Sequence, residues 1–115
     1  MFSLNESLRY YLYPGYICMG KGIECLSELI RSKMNANPLS GDVYLFFSKG
    51  KDKVKILRWD KDGFILYQKR LESGTFELPR FRPGQGLHEF EWETFFMIMR
   101  GIPLRSMHQR KRFKV

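Results

Sequence analysis

Apolar and polar positions change their spacing several times along the chain, and each change marks an element. Leu8 to Tyr13 is a short aromatic-rich run stopped by Pro14-Gly15, which predicts a strand. Tyr16 to Met19 allows a second short extended piece. After Gly20-Lys21-Gly22 the spacing becomes helical: Ile23, Leu26, Ile30 and Met34 share one stripe with Cys25 and Leu29 beside it. Glu24, Ser27, Glu28 and Arg31 take the other side. The pattern predicts a helix over 22–34, closed by Asn35-Ala36-Asn37-Pro38, because a proline disfavours helical geometry in the residue before it.

A turn at Leu39-Ser40-Gly41-Asp42 leads to the apolar strand Val43–Phe47 and then the loop 48–52. Two strands follow, Lys53 to Trp59 and Phe64 to Arg70, joined by Asp60-Lys61-Asp62-Gly63. Asp starts a type I turn, and Gly63 is the residue expected to take a positive φ. Trp59 then faces Phe64, with Leu57 and Leu66 next along. Glu72-Ser73-Gly74 turns again, and Thr75 to Leu78 is a candidate fourth strand. Pro79, Pro83, Gly84 and Gly86 make 79–87 a loop. A second helix is expected over 89–100, packing through Phe95, Phe96 and Met99 and stopped by Gly101 and Pro103. The expected fold is α+β: a small antiparallel meander sheet of three to five strands packed against one main helix, with a second C-terminal helix and a basic tail. Residues 1–103 read as one domain and 104–115 as a flexible tail.

Composition adds to this picture mainly through charge. The chain of 115 residues is 43% hydrophobic and 16% aromatic, enough for one core, and carries a formal net charge of +8. The charge is uneven. Residues 105–115 hold Arg105, Arg110, Lys111, Arg112 and Lys114 with no acid, while Glu89, Glu91 and Glu93 stand against Arg100 just before them. Such a chain is drawn to polyanions: nucleic acid, an anionic membrane or an acidic protein surface. Neither a signal peptide nor a bilayer-spanning run is read in the sequence, so no membrane partner and a cytoplasmic location are expected. Cys18 and Cys25 form no disulfide framework or zinc set, and Cys25 falls on the apolar helical stripe as a free thiol.

Catalytic patterns fail in turn. His88 and His108 are far apart, and no His/Cys/acid cluster has metal-ligand spacing. Gly20-Lys21-Gly22 lacks the length and the following Ser/Thr of a phosphate loop, although helix-start amides with Lys21 suit a single phosphate. Asp60, Asp62 and Gly63 begin like a calcium loop but continue as strand, so turn chemistry accounts for them. No enzyme, cofactor, metal or small-molecule substrate is expected. What remains is the interleaving of cations and rings along the hairpin. Lys53, Lys55, Arg58, Lys69 and Arg70 on the sheet, Lys21 at the helix start, and Arg110, Lys111 and Arg112 in the tail are the candidate nucleic-acid-binding residues. Trp59 and Trp92 are the candidate anchors for a protein partner.

These motifs resemble those of a known family. Pro38-x-Ser40-Gly41, Phe46-Phe47, Asp52-Lys53-Val54-Lys55-Ile56-Leu57-x-Trp59-Asp60-x-x-Gly63-Phe64-x-Leu66, Lys69-Arg70-Leu71-Glu72-x-Gly74-x-Phe76 and Pro79 are similar to the TnpB accessory protein of the insertion-sequence family sixty-six. That is the product of the element's second open reading frame, distinct from the RNA-guided nuclease that shares the name. The family's Asp-Met-Arg-Lys-Gly signature is met at Met19, Lys21 and Gly22, and departed from at Cys18 and Gly20. The resemblance spans about residues 8–102 and includes Arg100-Gly101-Ile102. It implies a non-catalytic helper in the transposition of a bacterial element, with DNA and the element's separate transposase as expected partners. The alternative expectation is an adaptor that docks on the transposase without touching DNA. Oligomeric state is left open.

Overall fold

The computed structural model describes residues 4–79 and 88–101. Its elements are β1 (Tyr10–Tyr16), α1 (Ile23–Ser32), β2 (Val43–Phe47), β3 (Lys53–Asp60), β4 (Gly63–Arg70), β5 (His88–Phe90) and α2 (Trp92–Met99). The strands form one sheet in the order β4-β3-β2-β1-β5. All neighbouring pairs are antiparallel except β1 and β2, which run parallel through the α1 crossover. The expected α+β class, strand number and two helices are therefore present, with β2-β3-β4 as the meander.

The helices cover opposite faces of the sheet. On one face Leu26, Ile30 and Met34 pack against Tyr11, Tyr44, Phe46 and Leu57. On the other, Phe95, Ile98 and Met99 of α2 pack against Tyr10, Leu12, Val43, Leu45, Phe47, Val54 and Ile56. This explains why every residue of β2, Val-Tyr-Leu-Phe-Phe, is buried. A central strand covered on both sides reads as a continuous apolar run, without polar alternation. Burying each such large side chain contributes about 1.5–3 kcal/mol.

Several sequence expectations change. Phe96, expected in the packing face of the second helix with Phe95 and Met99, is 43% exposed, because Phe95, Met97, Ile98 and Met99 form the buried side of α2. The Pro14-Gly15 pair does not end β1: the strand runs on to Tyr16, but its register against β2 shifts between Leu12 and Tyr16. Pro14 has no N–H to give the ladder, so the strand accommodates it as an irregularity. The second helix begins at Trp92, and His88–Phe90 instead form β5, pairing Tyr10 with Phe90 and Leu12 with His88. Thr75–Leu78 is no strand among the described residues. It is a strap anchored by Phe76, which is buried against Phe47 and whose N–H donates 2.6 Å to the Lys51 carbonyl. Finally, α1 ends at Ser32 through Asn35 at φ +50, with the Ala36 N–H bonded back to the Ile30 carbonyl, ahead of Pro38.

The hairpin pairs Trp59 with Phe64 and Leu57 with Leu66 as the sequence suggests. The Trp59 and Phe64 rings meet edge to face at 5.0 Å. Cys25 is half-buried and Cys18 exposed, both as free thiols. The basic tail and the loop 80–87 lie outside the described residues.

Candidate nucleic-acid interface

The register of the sheet sorts charge to its two ends. Tyr16 of β1 stands beside Phe47 at the end of β2, Phe47 beside Val54, and Lys53 beside Arg70. The end of β2, the start of β3 and the end of β4 therefore share one pole of the molecule. Lys49 and Lys51 sit in the exposed turn between β2 and β3 at this pole, next to Lys53, Lys69 and Arg70. Two contacts bring further cations there. The Lys55 ammonium donates 2.6 Å to the Lys21 carbonyl, placing exposed Lys21 and the start of α1 against β3. The Lys69 ammonium donates 2.9 Å to the Met99 carbonyl, placing the end of α2 and the following Arg100 near the end of β4.

Helix α1 adds to the positive potential. Its N-cap is Gly22 in an extended conformation with no side-chain cap, so its first amides carry the partial positive charge of the helix start beside Lys21. Acids also lie at this pole: Glu24 in the first turn of α1 and Glu77 beside Phe76 are exposed, while Asp52 and Glu72 sit next to cations. Asp52 lies 3.5 Å from Lys53 and accepts a hydrogen bond from the Ser48 hydroxyl. Burial pushes the Asp52 carboxyl up, yet the Ser48 hydroxyl and Lys53 outweigh it and hold the group below its ordinary value. Glu72 lies 3.3 Å from Arg70, both well exposed.

The opposite pole is acidic. Tyr10 pairs with Phe90, Val43 with Arg58 and Asp60 with Gly63. Glu6, Glu89 and Glu91 rim a shallow cleft there with Leu8, Arg9, Phe90 and Trp92. The Arg9 guanidinium is held above its ordinary value, first by the Tyr11 hydroxyl and then by the Glu89 and Asp42 carboxylates.

The candidate cations thus divide. Lys21, Lys53 and Arg70 meet at the basic pole, Lys53 and Arg70 directly opposite each other on the α1 face. Lys69 is at the same pole on the α2 face, with its ammonium tied to α2. Lys55 is only 6% exposed, and its ammonium is engaged by main chain, so its position is structural. Arg58 lies at the other end and donates 3.1 Å from Nε to the Gly41 carbonyl. Arg110, Lys111 and Arg112 lie outside the described residues. Trp59 packs on Phe64 at the far end of the hairpin, and Trp92 is half-buried on Tyr10, Phe95 and Phe96. Sequence reasoning passed over Lys49, Lys51 and Arg100. The signal for the first two was present, since Lys49-Gly50-Lys51 lies in the loop between two patterned strands.

Among the described residues no group of three or more His, Cys, Asp or Glu side chains could hold a metal ion, and no helix is long and apolar enough to cross a membrane. Fold and charge together define a small two-faced α+β module whose most distinctive surface is a cationic pole. The family model described as IS66 Orf2 like protein matches residues 8–109, and the chain belongs to that family. Membership implies an accessory role in transposition. Two relatives come from Sinorhizobium fredii (strain NBRC 101917 / NGR234). The uncharacterized protein y4jC is 31% identical over 102 residues, covering 89% of this chain and 86% of the relative. The uncharacterized protein y4hO is 26% identical over 84 residues, covering 73% of each. No solved structure matches.

Proposed function

We propose that this protein is a non-catalytic accessory factor that binds DNA during transposition of its element, using the basic pole together with the C-terminal tail. The observation that carries the reading is the placement of α2. Its last turn is fastened to β4 by Lys69, so the chain leaves Gly101 at the same pole that gathers Lys21, Lys49, Lys51, Lys53 and Arg70. The five cations of residues 105–115 follow Gly101 in the sequence, and in this reading they act together with the folded cationic surface. A tethered second contact raises the effective concentration of the first without any new chemistry. Most of the affinity in such an interface comes from phosphate neutralisation.

The test is fluorescence anisotropy on a labelled duplex from the element's terminal repeat, with a scrambled duplex as control, over a salt series. For five phosphate contacts the log–log salt slope is expected at about −4 to −5. Binding that is absent, or that ignores salt, would overturn the DNA reading.

One observation favours docking on the transposase as a second reading. Phe96 is 43% exposed on α2, in ring contact with Trp92, whose other side borders the acid-rimmed cleft. An exposed ring beside a half-buried tryptophan is the composition of a protein anchor. Phe96→Ala should weaken co-elution with purified transposase while leaving DNA affinity unchanged.

A further inference from the structure

The sheet has two edges, and they differ. β5 is three residues long, a length that offers little for another strand to pair with. β4 is eight residues long and runs against β3 in unbroken register from Lys53–Arg70 to Asp60–Gly63. Among the described residues nothing pairs with its outer side. It carries no proline and no bulge, the usual devices that blunt an edge. Its middle is apolar on both faces: Phe64, Ile65 and Leu66 are all half-exposed, and Ile65 joins neither core cluster of described residues.

The charges along this edge are self-complementary. Exposed Asp62 stands just before the strand and exposed Arg70 at its end, four residues to either side of Leu66. Two such strands laid antiparallel about a two-fold axis at Leu66 put Asp62 of each copy opposite Arg70 of the other. Phe64 then faces Gln68, and Ile65 faces Tyr67. A two-fold axis perpendicular to the sheet keeps each side chain on its own face, so this register continues both layers of the fold across the junction.

We propose that β4 is a dimerisation edge, pairing antiparallel with β4 of a second copy to make one ten-stranded sheet. Main-chain hydrogen bonds and the apolar centre supply affinity, while the two Asp62–Arg70 pairs fix direction and register. The inference does not require DNA binding, but the two readings share Arg70, so Asp62→Arg and Ile65→Lys, which lie outside the basic pole, test the dimer separately.

The experiment is sedimentation equilibrium of the full chain across a concentration series, with circular dichroism to verify folding. The expected species is a dimer of twice 13.8 kDa. Asp62→Arg alone and Arg70→Asp alone should each weaken it about tenfold, because two attractive pairs become repulsive. The double reversal, Asp62→Arg with Arg70→Asp, should restore it. Ile65→Lys should abolish it while the monomer stays folded. A monomer at every concentration overturns the proposal, as does a dimer that ignores both single reversals and Ile65→Lys.

Discussion

The ammonium of Lys55 donates 2.6 Å to the carbonyl of Lys21, 34 residues earlier in the chain, and is only 6% exposed. One cation thereby fastens the loop before α1 to the first half of β3. A charge so deeply placed is tolerated only when it is hydrogen-bonded. Removing it should cost stability and leave the exposed cations to handle any ligand. Lys55→Met is expected to lower unfolding free energy by about 1.5–3 kcal/mol, the range for a hydrogen bond to a charged group. Lys53→Ala, at a half-exposed position with a single surface ion pair, should stay within about 0.5 kcal/mol. Urea denaturation of the two variants separates a structural lysine from a surface one.

The β3–β4 turn carries a strained residue. Lys61 holds φ at +57, whereas Gly63, which the turn pattern nominated for a positive φ, is the first residue of β4 and does not adopt one. An L-residue in the left-handed region costs about 1–2 kcal/mol, and glycine avoids that cost. Lys61→Gly should therefore raise the unfolding free energy by about 0.5–1 kcal/mol once the looser unfolded chain is counted, and a thermal melt should show a higher midpoint. Gly63→Ala should have little effect, because nothing lies within 4 Å of its added Cβ.

That turn shows where the sequence was readable. Asp60-Lys61-Asp62-Gly63 announced a hairpin and its flanking pairs, because alternation and turn composition are local signals. It could not say which central residue bends, since that depends on the twist of the paired strands. The same boundary separates β4 from β5. Gly63–Arg70 has eight residues of pattern, whereas His88–Phe90 has three, and those are a strand only because Tyr10–Leu12 offers an open edge. Nothing local in the run 89–91 separates it from the helix that follows. For the cationic surface, local charge counting found the residues but not their company. Lys55 and Lys53 look alike in sequence and differ in role because the Lys21 carbonyl, in the loop before α1, meets one and not the other.

Tyr10 gives the fold an alkaline limit. Its side chain is fully buried and its hydroxyl donates 2.7 Å to the Asn5 carbonyl. Burial pushes the phenol up to about 12, with the Asn5 bond and Arg58 acting against the rise. Burial also raises Tyr44. An unfolded tyrosine releases its proton near pH ~10. The stabilising contribution is thus fully present below about pH 10 and is lost as pH climbs from there towards about 12, because the unfolded chain ionises first. Urea midpoints should fall through that window. Tyr10→Phe should flatten the fall while costing about 1 kcal/mol at neutral pH for the lost hydrogen bond.

The basic pole and the tail make separable contributions to the proposed DNA interface. Lys51 is exposed in the β2–β3 turn, and the Lys51 carbonyl, not its ammonium, anchors the Phe76 strap. Lys51→Ala should therefore leave the fold intact, as should Arg70→Ala, which within one chain loses only an exposed pair with Glu72. Each is expected to reduce the magnitude of the log–log salt slope by about 0.9 per phosphate contact removed, and to weaken all duplex sequences alike. Lys33→Ala is the control, since Lys33 is equally exposed but caps α1 at the end away from Lys21. Removing residues 105–115 should lower the slope further, by an amount that adds to the Lys51 and Arg70 effects if both surfaces touch one duplex. Anisotropy titrations of the four proteins decide the matter. Unchanged slopes in the pole variants with a collapsed slope in the truncation would assign binding to the tail alone, and the folded pole would then have no part in holding DNA.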